Sequence, residues 1–582
     1  MSKKDIGLVV AKVTGVLLLL SYSDNYSIIH RINDLINLYG YPGAIVFILV
    51  WIACVSSLLV ITFLPNIRIK ALFTCIIFST TLLGASFANV SGLPLLYDNL
   101  YVLLENTDFT GSALSNYSNE ILYGVLIALL SFTILLPPPR WVKKVWSSSG
   151  VLAAHRINYV PITAYLIILA PFAAIFLVAL LRGGYGVQET PVQYRLSSLI
   201  SVVALENTVY RESNTNNVEI GVNKHPDPVN IVLIVDESLR GDFLDINGNN
   251  RGITPSLFSH KDRLVNFGYA SSGANCSADA NQIIRFGANL HDFETTFRTN
   301  PYIWQYAKAA GYRTIMIEGQ ARPGSLNNRM TKKETSYIDE FIYAEGQGSR
   351  ERDLDIADTI KKVVASDNKP YFILAVKSGI HFPYEDKVPE KERKYQSISV
   401  GYDVGNKTDL VNAYRNAILY ITDPFFESLL SNMEYNNTVV FYTSDHGQNL
   451  LDNGSKQTHC STNNASPYEG LVPLLVITDN DYFKEKFESA ALKNFDKASH
   501  FNIVPTILNI FGFEKEGVAR RHGLSLFDDI NEPRRFISGV LRRNKLGLGN
   551  RNVLRWNYLP ETLISQNTQN KEALSSTLLK GT

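Results

Sequence analysis

The sequence predicts a mostly parallel α/β domain carried behind five membrane-spanning helices. Three observations carry this reading. Five long apolar runs precede residue 182. From Val229 onward, short β-branched strands alternate with helical stretches, the pattern of a parallel sheet covered by helices. Two of those strands run directly into acidic turns, the place where open parallel sheets hold their ligands.

The apolar runs are Ile6–Tyr22, Gly43–Leu64, Ala71–Val90, Ile121–Leu136 and Val160–Leu181. Crossing a bilayer takes about 17–25 predominantly apolar residues, which the second, third and fifth supply without interruption. The first contains Lys12, expected to snorkel toward the interface, and the fourth stops at Pro137-Pro138-Pro139. Both are read as spans. A signal peptide is the rival reading of the first run, but it has no Ala-x-Ala-like end and four more runs follow it. Lys3, Lys4, Arg68, Lys70, Arg140, Lys143, Lys144 and Arg156 cluster on alternate connections. That bias puts the amino terminus inside and everything after Leu181 on the outer face, in the periplasm or outside the cell.

Leu93–Leu104, with Tyr97 and Tyr101 as interface anchors, and Tyr194–Tyr210 are apolar at helical spacing. Each is read either as an interfacial helix that brings lipid to the soluble domain or as a connector packed on that domain. Arg211 to Pro228 reads as linker. The expected organisation is a transmembrane domain over 1–182, an interfacial helix and linker over 183–228, and a catalytic domain over 229–582. With Lys+Arg 55 against Asp+Glu 54 the net charge is +1, which gives no electrostatic case for a nucleic-acid partner.

In the second half, strands are expected at Val229–Val235, Tyr312–Ile317, Tyr371–Val376, Thr438–Thr443 and Pro473–Ile477, with helices at Tyr302–Ala310, Leu354–Ala365 and Leu410–Ser431. The strand from Thr438 runs into Asp445-His446-Gly447, and the strand from Val229 into Asp236-Glu237. Two such ends facing one crevice can offer carboxylate oxygens and an imidazole nitrogen to a zinc-like ion. Ser271-Ser272-Gly-Ala-Asn275-Cys276-Ser277 is a small-residue turn that opens a helical stretch. There Ser277 would meet free N–H groups and the positive helix end, a setting that suits a phosphate. A neighbouring divalent ion would make its hydroxyl a nucleophile. A plain Ser cap is the bland alternative, and Cys276 the rival nucleophile. His381 lies just past a strand end and His459 in the Gly/Ser/Asn-rich loop after Asp445-His446; each can donate to a phosphoryl oxygen or shuttle a proton, whereas His500 reads as holding a turn. Cys276 and Cys460 can pair in an exported domain.

Taken in order, these residues resemble a known family. The series is a membrane anchor, Glu237-Ser-x-Arg240, Thr254-Pro255-x-Leu257, a turn serine, His381 with Pro383 and Tyr384, Tyr414-x-Asn416, Ser444-Asp445-His446-Gly447 and His459. It is similar to the sulfatase-like branch of the alkaline phosphatase superfamily, and within it to the inner-membrane phosphoethanolamine transferases of Gram-negative bacteria. The resemblance implies an alkaline phosphatase-like α/β/α soluble domain with Zn2+, one ion or two, held by Glu237, Asp445, His446 and Ser277. It implies that His381 and His459 hold the phosphoryl group. It also implies a phosphatidylethanolamine donor and, as acceptor, lipopolysaccharide (lipid A or a core sugar) or another envelope glycan. The chain is read as a monomer. The family's nucleophile is usually Thr in a Cys-Gly-Thr context, and its several periplasmic disulfides cannot form from two cysteines. Ser271 and Ser272 therefore stay open beside Ser277. A phosphoglycerol transferase of the same superfamily is the alternative activity, ahead of a sulfatase or phosphodiesterase, since the Cys/Ser-x-Pro-x-Arg sulfatase signature is absent.

Overall fold

The computed structural model describes residues 2–561, apart from 24–27, 92–93, 106–116, 149–158, 185, 210–214, 224–227, 249–250, 367–369, 398–405, 432, 456, 463, 540 and 542–553. The chain divides into two units, one spanning Met1–Glu212 and the other Ser213–Arg543 together with the last strand. Tyr210 and much of the expected linker lie outside the described residues.

Among the described residues of the first unit, five helices are long and apolar enough to cross a membrane. They are α1 (Lys3–Tyr22), α2 (Ile28–Phe63, kinked at Gly40 with φ 68), α3 (Ile67–Ser91), α4 (Ser118–Leu129, continued as a tighter 3-10 turn through Leu135) and α5 (Tyr159–Leu181). Lys12 does not snorkel. Its side chain is fully buried and its ammonium donates to the carbonyls of Thr62, Ile134 and Leu136 at 2.9, 3.2 and 2.6 Å. Lys70 adds a bond to Leu136 O at 2.7 Å. Two lysine side chains thus donate to carbonyls that the ends of α2 and α4 leave without helical partners. Tyr97 is not an interface anchor either: it is buried, with its ring against Gly184, and the Tyr101 side chain lies outside the described residues. Helix α6 (Val192–Val209) packs on the spanning helices, with Tyr194 donating to Cys54 O at 3.0 Å and Gln193 to Thr81 Oγ1 at 3.1 Å.

The second unit is built on a seven-stranded sheet of order β2-β7-β6-β1-β5-β3-β4. Strands β1 (Asn230–Asp236), β3 (Arg313–Glu318), β4 (Glu340–Tyr343), β5 (Tyr371–Val376) and β6 (Thr438–Ser444) pair in parallel. β7 (Leu471–Ile477) runs antiparallel to β6, and β2 (Leu264–Ser271) antiparallel to β7. All five expected strands are present. β2 and β4 are additional, and β8 (Arg535–Ser538) pairs with β9 (Arg555–Tyr558) in a separate hairpin-like sheet. β1 shows why the sheet is buried on both faces: Ile231, Leu233 and Val235 enter one core, while Val232 and Ile234 enter the other. A central parallel strand is apolar throughout for this reason. Because β7 is reversed, β2 points the same way as β6. The carboxyl ends of β1, β2, β3, β5 and β6 therefore share one edge.

Candidate functional site

That edge collects the candidate residues. The β1–β6 register pairs Asp236 with Ser444, so Glu237 and Asp445 stand level at the ends of adjacent strands. One oxygen from each and one nitrogen of His446 lie within 4.8 Å of one another, and all three residues are buried. His446 Nε2 is 3.7 Å from Glu237 Oε1 and 3.7 Å from Asp445 Oδ2. His446 Nδ1 sits 2.7 Å from Gly447 O, so the ring proton goes there and the Nε2 lone pair faces the two carboxylates. Gly447 permits the tight turn, because a Cβ there would come within 2.2 Å of Tyr468 O.

Helix α7 (Ser277–Phe286) begins at Ser277, as its sequence predicts, with Cys276 at the cap. The Ser277 hydroxyl lies 3.1 Å from His446 Nε2 and 3.4 Å from Glu237 Oε1. Ser272 spends its hydroxyl on Ala274 O, and Ser271 is buried in the end of β2. Of the three serines, Ser277 is the one whose hydroxyl meets the carboxylate–imidazole group, among the described residues. Cys276 is bonded to Cys460, with Cα atoms 4.6 Å apart, which removes the thiol as a nucleophile. His459 stacks on His446 at 4.7 Å between ring centroids, and His381 meets His459 edge-on at 5.0 Å. His500 stands behind the turn: its Nδ1 accepts from Gly273 N at 3.1 Å.

Electrostatics set the group's character. Burial pushes the Asp445 carboxyl well above its ordinary range, and the adjacent Glu237 charge pushes it further. Burial also raises Glu237, but the His381 and His446 rings and hydrogen bonds from its neighbours outweigh this and hold it below the usual value. Burial lowers His381, His446 and His459 alike. Among the described residues, Asp445 Oδ2 is buried with no hydrogen-bond partner. An orphaned carboxylate oxygen beside a second carboxylate and an imidazole lone pair is a donor set that fits a divalent cation.

Sequence reasoning missed Gln320 and named Tyr414 only within the family-like series, without a role. Gln320, two residues past β3, donates to Glu237 Oε2 at 2.9 Å. Tyr414 accepts from Arg240 N and donates to Ser238 O, at 2.9 and 2.8 Å, fixing the turn after Glu237. The strand-end rule that singles out Glu237 would have reached Gln320 as well.

Residues 229–513 match the family model described as Sulfatase. This part of the chain is a sulfatase-family domain. Over 305 residues the chain is 24% identical to the Kdo(2)-lipid A phosphoethanolamine 7''-transferase of Escherichia coli (strain K12), covering 49% of this chain and 52% of that protein. The chain thus spans about half the length of that relative. It is 23% identical over 418 residues to the phosphatidylethanolamine transferase Mcr-1 of Escherichia coli, covering 68% of this chain and 75% of Mcr-1. In fold it is similar to the integral membrane lipooligosaccharide phosphoethanolamine transferase A of Neisseria meningitidis, with a TM-score of 0.58 and 17% identity over 88% of this chain and 97% of that one. The sulfatase-family domain and its five apolar helices therefore share an architecture with that membrane protein.

Proposed function

We propose that this protein transfers phosphoethanolamine from phosphatidylethanolamine to a cell-envelope acceptor, lipopolysaccharide or another glycan, through Ser277. The observation that carries the proposal is the Ser277 hydroxyl at the first turn of α7, within hydrogen-bond reach of Glu237 and His446. The names of the relatives supply the transferred group and the lipid A class of acceptor. In this reading residues 1–182 form the transmembrane domain and 183–228 the connection. Residues 229–582 form the catalytic domain on the periplasmic side of the inner membrane, with the amino terminus inside.

Glu237, Asp445, His446 and Ser277 would hold zinc, which supplies Lewis-acid activation of a hydroxyl and a phosphoryl oxygen. Ser277 Oγ attacks phosphorus as its proton passes, through an imidazole of the site, to the diacylglycerol oxygen, whose bond to phosphorus breaks. Diacylglycerol leaves as the alcohol after taking a proton, and phosphoethanolamine remains on the serine. The N–H groups of Ser277 and Ala278, which a helix's first turn leaves without an intrahelical partner, would face the phosphoryl group. An acceptor hydroxyl then attacks the same phosphorus, with its proton passing to His381 or His459, and Ser277 is released.

Intact mass of the full-length protein after incubation with phosphatidylethanolamine, beside Ser277→Ala, tests this. A phosphoethanolamine-sized adduct present on the parent and absent from Ser277→Ala is the expected result. An adduct that persists in Ser277→Ala overturns the nucleophile in favour of Ser271 or Ser272. An adduct formed only from phosphatidylglycerol overturns the donor.

A further inference from the structure

Directly beneath the site lies a charged cluster that the proposed reaction does not use. Lys377 follows β5, Asp236 ends β1 and Asp353 lies in α8 (Ser349–Val364). All three side chains are wholly buried. Lys377 Nζ is 2.6 Å from Asp236 Oδ2 and 3.5 Å from Asp353 Oδ2, and it lies 4.2 Å over the Phe425 ring. Tyr442 also donates to Asp236 Oδ2. Burying an ion pair gives little net stability compared with apolar side chains of the same volume. A fold that keeps three such charges under its site calls for another reason.

The hydrogen bonds supply one. Asp236 Oδ1 accepts from the backbone N–H of Glu237 at 2.8 Å, so the carboxylate that Lys377 anchors also sets the Glu237 peptide. The Lys377 carbonyl accepts from Gln320 Nε2 at 3.0 Å, and the same amide nitrogen donates to Glu237 Oε2 at 2.9 Å. Lys377 therefore reaches Glu237 twice, through its ammonium at the peptide and through its carbonyl at the carboxylate. Asp353 completes the arrangement by accepting from Ser378 N at 2.8 Å and Gly379 N at 3.2 Å, which fixes the turn that leads to His381.

We propose that Lys377 is a positioning residue, which orients Glu237 for its cation through Asp236 and Gln320 and ties that orientation to the turn carrying His381. This rests on the reading of Glu237 as a metal ligand. Outer partners of metal ligands typically govern metal affinity by about 10–100-fold.

The test is zinc affinity of the full-length protein, measured by competition with a chromogenic chelator and so independent of turnover. Lys377→Met leaves two buried carboxylates facing each other, so Lys377→Met/Asp353→Asn, which removes that repulsion, is made beside it. Lys377→Arg keeps the charge. Zinc affinity is expected to fall at least about 10-fold in either Met variant that keeps the parent's circular dichroism and cooperative melt, and to recover in Lys377→Arg. A folded Met variant that binds zinc within about twofold of the parent overturns the inference alone. A parent that takes up no zinc overturns the metal reading, and the inference with it.

Discussion

Cys276 immediately precedes Ser277, Cys460 immediately follows His459, and these two cysteines are bonded to each other. One covalent link thus sets the spacing of a hydroxyl and an imidazole contributed by segments far apart in sequence. The flanks reinforce it. Cys460 N donates to Asn275 O at 2.8 Å, Asn275 Nδ2 to Ser461 O at 2.9 Å, and buried Glu469 accepts from both Asn275 and Ser461. Reduction by a dithiol converts the disulfide to two thiols and lets the His459 loop move relative to Ser277. Misplacement of a reacting group by about 1 Å can cost about 100-fold in rate. Reduced protein is expected to form the covalent adduct at least about 10-fold more slowly and to recover on reoxidation. Cys276→Ala/Cys460→Ala should be equally slow and indifferent to reductant. Time-resolved intact mass, with and without dithiothreitol, checks both, and equal rates in the two redox states would contradict the coupling.

Gly379 makes a second, purely steric prediction. Its φ is +53, and a Cβ there would lie 2.6 Å from Glu237 Cβ and 2.8 Å from Asp236 Oδ1. Left-handed backbone on a residue with a side chain costs about 1–3 kcal/mol, and overpacking a similar amount again. Gly379→Ala should therefore destabilise the sulfatase-family unit by about 2–4 kcal/mol and displace Glu237. Denaturant unfolding gives the first effect and zinc titration the second. A change below about 1 kcal/mol would show that the turn relaxes freely.

Much of this site is legible in the sequence because strands announce their own ends. Thr438–Ser444 and Asn230–Asp236 are apolar and β-branched, and their acidic neighbours fall where parallel sheets bind ligands. The supporting groups are silent for a physical reason: Lys377 and Gln320 are residue types that normally sit in water after a strand, and only tertiary packing buries them. β2 escapes the period-2 pattern because its ladder shifts register between Asn266 and Tyr269, around Gly268 at φ 74. β4 is four residues at the sheet edge, too short to signal itself. Lys12 is misread because helical spacing alone does not distinguish a face turned to lipid from one turned to carbonyl ends inside a bundle.

His522 gives a pH prediction away from the site. Its Nδ1 sits 2.6 Å from Gly287 O and its Nε2 2.9 Å from the Tyr306 hydroxyl, so the buried ring is neutral, donating to one and accepting from the other. Burial lowers its pKa from 6.5 to about 4. The unfolded chain then binds this proton near pH 6.5 while the folded chain resists until about 4. The stabilisation is complete above pH 6.5 and is lost as pH falls through about 4, a contribution of up to about 3 kcal/mol. His522→Gln should be less stable than the parent at pH 7.5, and the gap should close by pH 4. Unfolding free energies of the two proteins across that range measure it, and a gap constant with pH would refute the assignment.

Asp445 yields the last prediction, on what the site costs the protein when no cation is present. Among the described residues its Oδ2 has no hydrogen-bond partner, and the Glu237 carboxylate stands beside it in a buried site. Repulsion between the two is relieved only by a proton or a cation. Asp445→Asn removes one charge at nearly constant shape and can retain acceptance from Ser238 N and His446 N through its amide oxygen. After chelation, Asp445→Asn should therefore melt at a higher temperature than the chelated parent. Added zinc should raise the parent's midpoint by linkage, by about 2.7 kcal/mol of stability at 100 times the dissociation constant, and leave the variant's nearly unmoved. Differential scanning fluorimetry in chelator and in a zinc series separates the two effects. A variant that melts below the chelated parent would mean that Asp445 is held by structure rather than kept for a ligand, and the metal reading would then rest on Glu237 and His446 alone.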